Sequence, residues 1–271
     1  MDNILHFMHD RYSLNVSFYD PSFLESTIAN RMVYTSCNST KEYMNVLDKS
    51  PSEAELLIDS LTNSYSEFFR NPLTFALLKQ IVFPKLFNKK DTLHTNKVRI
   101  WSAGCAAGQE AYSLALLAHD FIHEHNLTIS FRIFATDISI RQLEDARKGV
   151  FDQKNIQNTS QGFISSYFSI QGQSYTISDK IKKYIDFSRY DLLDQKTDAP
   201  PSSIFGGFDI IMCSNVLFYY KPVIQKQILN KLYRSLNSGG FLLTGEAEIA
   251  IVRGDRNFKQ FASPSTIFVK V

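Results

Sequence analysis

The sequence predicts an α/β protein: a Rossmann-like, mostly parallel sheet, preceded by a small helical domain and interrupted by a short inserted β-hairpin. Three observations carry that prediction. A strand-like run beginning at Val98 turns through Gly104 and Gly108 into a long apolar-periodic helix, VRIWSAGCAAGQEAYS. A second run, FRIFATDI, places Asp137 at a strand's end. A third, FDIIMCSN at 208–215, is nearly continuously apolar, as a central parallel strand buried on both faces must be. The expected division is a helical domain with linker and connecting helix over 1–88 and a sheet domain over 89–271, with 163–184 as the insertion.

Composition bounds the function classes. A chain of 271 residues with 44% hydrophobic content can bury a sizeable core. A net charge of +2 gives no electrostatic footprint for nucleic acid. Cys37, Cys105 and Cys213 are odd in number and lack CxxC spacing, which fits a reducing compartment and argues against a disulfide framework or a zinc site. The N-terminal stretch carries His6, His9, Asp10 and Arg11 and no continuous apolar core, and no other run is long enough to span a bilayer. The expectation is a soluble, cytoplasmic monomer with no membrane insertion and no metal.

Helix starts are marked along residues 1–62. Asp20-Pro21 sets a cap before a first-turn proline, Ser39 to Glu42 has capping-box spacing, and Ser50-Pro51 with Glu53 repeats it. Phe23, Ile28, Met32, Tyr43, Leu47, Leu56, Leu57 and Leu61 suit a small helical core, while Arg31, Lys41 and Lys49 read as a solvated face. The link NSYSEFFRNP is unlike a plain linker. Two adjacent phenylalanines, Phe68 and Phe69, imply anchoring against the second domain, with Arg70 held beside them as a functional candidate. A helix from Pro72 carries Phe75, Leu78 and Val82 and is expected to end near Pro84.

In the sheet domain, Gly104 and Gly108 allow a sharp turn and close approach to a ligand at an open helix end. Glu110 at that helix start repels a pyrophosphate but accepts hydrogen bonds from an amine or hydroxyl, which points away from a dinucleotide. Asp137 stands where an acidic residue accepts both ribose hydroxyls of an adenosine. His119, His123 and His125 crowd a helix C-terminus, where imidazoles favour the dipole without any metal. YFSIQGQSYTISDKIKKY reads as a hairpin turned at Gly172, followed by a strand from Ile185. The strand FDIIMCSN leads into Ser214-Asn215-Val216-Leu217-Phe218-Tyr219-Tyr220, which makes Asn215 and Tyr219 candidates at the crevice. An amphipathic helix from Lys221 and strands at 241–245 and 266–271 complete the chain.

These segments together resemble the CheR-type chemotaxis receptor methyltransferases, which use S-adenosylmethionine to methylate glutamate side chains. The resemblance spans the helical N-terminal region, SEFFRNP, WSAGCAAGQEAYS, FATDIS, SRYDLLD, FDIIMCSNVLFYY and GGFLLTGEAE. It implies a class I methyltransferase sheet, with S-adenosylhomocysteine as product and the cytoplasmic domains of methyl-accepting receptors as partners. It implies that Ser64, Ser66, Arg70, Gly104, Glu110, Asp137, Asp191, Leu192, Asn215 and Val216 surround the cofactor. Arg70 and Tyr219 would lie beside the transferred methyl. Ser64 and Ser66 replace the family's usual Asn and Thr, Ser214 replaces a common Arg, Asp191 an Asn, and Gly245-Glu246-Ala247-Glu248 a GHSE-like ending. These departures keep two other readings open: a methyltransferase with a different acceptor, and a cofactor-sensing module without turnover.

Overall fold

Local capping chemistry starts most of the helices. In the computed structural model, which describes residues 2–12, 16–61, 66–92, 97–204 and 207–271, α1 (Asp2–Tyr12), α2 (Pro21–Tyr34), α3 (Thr40–Lys49) and α4 (Pro51–Leu61) form a helical unit. The Asp20 side chain accepts from the N–H groups of Ser22 and Phe23, and Ser39 accepts from Glu42. Ile4, Met8, Leu24, Ile28, Tyr43, Leu47, Leu57 and Leu61 make its core. Arg31 is no solvated cation. Its guanidinium grips Glu53 at 2.9 and 2.5 Å, and Tyr43 Oη donates to the same carboxylate at 2.9 Å. Residues 218–225 belong to this unit: Asp20 N–H donates to Tyr219 O, Lys221 N–H donates to Phe18 O, and the Tyr19 and Tyr220 rings stack 5.2 Å apart.

The second compact unit takes in 65–217 and 226–271, so the segment after residue 65 packs with the sheet. α5 (Pro72–Leu77), a π turn (Leu78–Val82) and α6 (Phe83–Thr92) run on without a break. The helix therefore passes through Pro84 where the sequence predicts an end. The wider π turn, in which Phe83 N–H reaches back to Leu78 O, accommodates the proline. The elements that follow are β1 (Lys97–Ala103), α7 (Gln109–Glu124), β2 (Ser130–Asp137) and α8 (Ile140–Lys148). After them come β3 (Val150–Asp152), α9 (Gln161–Tyr167), β4 (Phe168–Gln171), β5 (Ser174–Ile177), α10 (Asp179–Lys182) and β6 (Ile185–Arg189). β7 (Phe208–Cys213), α11 (Pro222–Ser235), β8 (Leu236–Thr244), α12 (Ile249–Arg253), β9 (Phe258–Gln260) and β10 (Ile267–Lys270) complete the chain.

Among the described residues the main sheet has seven strands in the order β6-β2-β1-β7-β8-β10-β9. The first five are mutually parallel, and β10 lies antiparallel between β8 and β9. This is the doubly wound, class I methyltransferase sheet that the resemblance implies. β7 is buried at every position, which is why it reads as an uninterrupted apolar run. The order reverses between β1 and β7, so the carboxyl ends of those strands flank a crevice. The hairpin β4–β5 turns at Gly172 as expected, but a third strand joins it. β3 pairs with β5, making a small sheet of order β3-β5-β4 that begins at Val150. Three residues are too few to show a period of two, so β3 left no pattern in the sequence.

Candidate functional site

At the end of β1 the chain must turn sharply. Gly104 and Cys105 donate their N–H groups to Thr136 O on β2, and Gly104 and Gly108 hold φ of +78° and +89°. A Cβ on Gly104 would sit 2.7 Å from Val216 Cγ2, so the β1 and β7 loops approach too closely for any side chain there. The structure thus brings Gly104 and Val216 together. Gly108 caps α7 in a left-handed conformation, which leaves the first turn of that helix without a side-chain cap bond from the N-cap residue.

Asp137 ends β2 half-buried. Its Oδ2 accepts from Ala106 N–H and its Oδ1 from Ser139 N–H, both at 2.9 Å. Burial moves its pKa upward, and those N–H groups oppose the shift. Each oxygen keeps a lone pair for an outside donor. Glu110, on the first turn of α7, accepts from Ser102 Oγ at 2.6 Å. Burial pushes it up to about 7, with the Glu248 charge adding to the rise and Ser102, Ser214 and the Arg70 charge acting against it. Asp137 and Glu110 are therefore two acceptors in one low-dielectric crevice.

Asn215 holds a left-handed φ of +61° and starts a loop whose successive N–H groups turn to one side. The carboxylate they meet is Glu248. After β6, Tyr190 N–H donates to Asp137 O, Asp191 is exposed and bonds Leu193 N–H through its side chain, and Leu192 is buried. The buried Lys231 secures this loop through Tyr190 Oη at 3.0 Å and the Asp194 carbonyl. The 66–70 link is anchored as expected. Phe68 N–H donates to Asn155 O and its ring meets Phe151 and Phe168, while Phe69 N–H donates to Ser113 Oγ. Arg70 follows, exposed, with its charge felt at Glu110. Ser66 is half-buried, its carbonyl accepting from Asn155 Nδ2, and Ser64 lies outside the described residues. Tyr219 lies in the helical unit, its ring 4.6 Å from Phe23.

Sequence reasoning missed Glu248 and Ser102. The signal for Glu248 was Gly-x-x-Glu over 245–248, which is capping-box spacing with a glycine in place of the usual hydroxyl residue. Of the three helical histidines, His119 pairs with Tyr167 Oη at 3.1 Å and His125 with Phe121 O at 2.9 Å. Among the described residues no group of His, Cys, Asp and Glu is placed to hold a metal, and no helix is long and apolar enough to cross a membrane.

Two family descriptions match the chain: "CheR methyltransferase, SAM binding domain" over residues 64–267, and "CheR methyltransferase, all-alpha domain" over residues 1–62. The chain belongs to the CheR methyltransferase family. As a member of it, the protein is an S-adenosylmethionine-dependent methyltransferase, with S-adenosylhomocysteine as product. The chain is 28% identical to a chemotaxis protein methyltransferase of Borreliella burgdorferi, over 98% of this chain and 92% of that one. It is 30% identical to chemotaxis protein methyltransferase Cher2 of Pseudomonas putida, over 72% of this chain and 69% of that one. A probable biofilm formation methyltransferase, WspC of Pseudomonas aeruginosa, is 26% identical over 93% of this chain and 57% of its own length. The crevice suits the cofactor's chemistry. Carboxylates answer its ammonium and hydroxyl donors, and Ser214 Oγ and Gln109 Oε1 are buried beside it without a hydrogen bond of good geometry.

Proposed function

We propose that this protein methylates glutamate side-chain carboxylates in the cytoplasmic domains of methyl-accepting chemotaxis receptors. The observation that carries this reading is the match of both family regions in a chain that aligns over 98% of its length with a protein named chemotaxis protein methyltransferase. When bound, S-adenosylmethionine supplies an activated sulfonium methyl. Everything else falls to the chain. Asp137 accepts from the ribose hydroxyls and Glu110 from the ammonium. Ser64, Ser66, Gly104, Asp191, Leu192, Asn215 and Val216 complete the surround of the cofactor. Arg70 orients a carboxylate through its planar fork, and Tyr219 orients the attacking oxygen through its hydroxyl. No general base is required, because a glutamate acceptor is already ionised near neutral pH, and the rate comes from alignment.

Methyl-labelled S-adenosylmethionine incubated with receptor-bearing membranes tests the proposal. Label on a receptor-sized band that mild alkali releases as methanol is the expected result, since a carboxyl methyl ester is alkali-labile. Alkali-stable label, or none on receptors while cofactor binding persists, would overturn it. Ser214, where the family commonly carries Arg, favours a second reading in which the acceptor is a different protein. Label on a lysate protein other than a receptor would select that reading.

A further inference from the structure

Glu248 is fully buried just beyond β8, and its carboxylate is surrounded by donors. Oε1 accepts from the N–H groups of Val216 at 2.7 Å and Leu217 at 2.6 Å. Oε2 accepts from Asn215 N–H at 2.9 Å and Gly245 N–H at 2.8 Å. Three consecutive amides can converge on one point only because Asn215 adopts its left-handed conformation. Such a loop is self-repelling without an anion at its focus. All four partners being N–H groups, the carboxylate must be ionised to accept from each of them. A protonated acid would put a hydrogen against a donor.

We infer that Glu248 is a positioning residue of the cofactor crevice: its carboxylate holds the Asn215–Leu217 loop in the conformation that sets Val216 against Gly104 and presents Asn215 to the ligand. The inference rests on the reading of Asn215 and Val216 as cofactor contacts. A carboxylate accepts at both ends, whereas a carboxamide accepts at one and donates at the other. Glu248→Gln therefore keeps the size of the side chain but loses two of the four bonds and sets an NH₂ group against two N–H groups. Packing is nearly unchanged while the loop is released.

The test is calorimetric binding of S-adenosylhomocysteine to the full chain, together with KM for S-adenosylmethionine and kcat. Glu248→Gln is expected to raise Kd and KM about tenfold or more, with kcat at saturating cofactor within about threefold of wild type. Glu246→Gln, an exposed position two residues earlier whose carboxylate accepts from Asn71 Nδ2 at 3.0 Å, should bind as wild type does. Should Glu248→Gln fail to fold, Gly245→Ala decides instead. Its Cβ would lie 2.9 Å from Asn215 Nδ2 and 3.1 Å from Glu248 Oε2, so it presses on the same arrangement with the charge retained, and the same rise in Kd is expected. A lower kcat with Kd and KM unchanged would mark Glu248 as merely structural and overturn the inference. Wild-type protein that fails to bind S-adenosylhomocysteine would instead sink the reading of the crevice, and this inference with it.

Discussion

Asp137 is held by two backbone amides, so in the proposed role its carboxylate is aimed before a ribose hydroxyl arrives. Asp137→Ala should leave the fold in place and weaken S-adenosylhomocysteine binding by about 1–3 kcal/mol, read by calorimetry, because buried hydrogen bonds to a charged acceptor are of that size. Glu110 carries a pH signature. With its pKa raised to about 7 by burial, the folded protein binds a proton that the unfolded chain releases near 4.5. The stability this contributes is fully present below about 4.5 and is lost as pH rises through about 7. Ligand binding runs the other way, because only the ionised carboxylate attracts an ammonium. Affinity should climb about tenfold between roughly pH 6 and 8, and Glu110→Gln should flatten that rise. A pH-independent Kd in the wild type would remove Glu110 from the ammonium site.

At the scale of elements, the β1–α7 turn and the β7 loop fit each other through one missing methyl group. Gly104→Ala adds a Cβ 2.7 Å from Val216 Cγ2 at a φ of +78°. The expected cost is about 1–3 kcal/mol in stability, from strain and contact together, with weaker cofactor binding. Adding Val216→Ala should recover the contact part and leave the backbone part, a distinction that a double-mutant cycle in urea resolves. The turn was legible in the sequence because glycine after a strand has few other uses, and Phe68 and Phe69 were legible because exposed links rarely spend aromatic residues. Arg31 was not legible. A cation on a helix reads as solvated until the fold brings a partner from another helix, and Glu53 is 22 residues away. Strand β3 escaped because three residues show no period, and the helix running on through Pro84 because the π turn over Leu78–Val82 that accommodates the proline leaves no mark in the apolar pattern.

At the scale of the molecule, ligand binding and unfolding are linked by mass action. S-Adenosylhomocysteine at about 100 times its Kd should stabilise the sheet unit by about 2.7 kcal/mol, and Asp137→Ala should reduce that gain at the same concentration. Thermal unfolding with and without the ligand measures it, and a weakening of binding by about 1–3 kcal/mol corresponds to a loss of about 1–2.4 kcal/mol of that gain. The helical unit has its own apolar core, built around Tyr43, Leu47 and Leu57, with the Arg31–Glu53–Tyr43 cluster set into it. Glu53→Ala leaves Arg31 nearly buried without its counter-charge and should cost about 3–5 kcal/mol, seen as a lower unfolding midpoint.

What the sequence determined by itself was whatever is written in neighbouring residues: strand and helix periods, caps at Asp20, Ser39 and Ser50, the glycine turn after β1, and the placement of Asp137 and Asn215 at strand ends. Those features follow from local sterics and hydrogen bonding, so a few residues carry the whole signal. The tertiary structure decided which loops meet. Glu248 is 33 residues from Asn215, and neither position hints at the other along the chain. A buried carboxylate finds its amides only when β7 and β8 lie side by side, and that adjacency is fixed by the burial of two apolar strands, not by any residue in the loop itself.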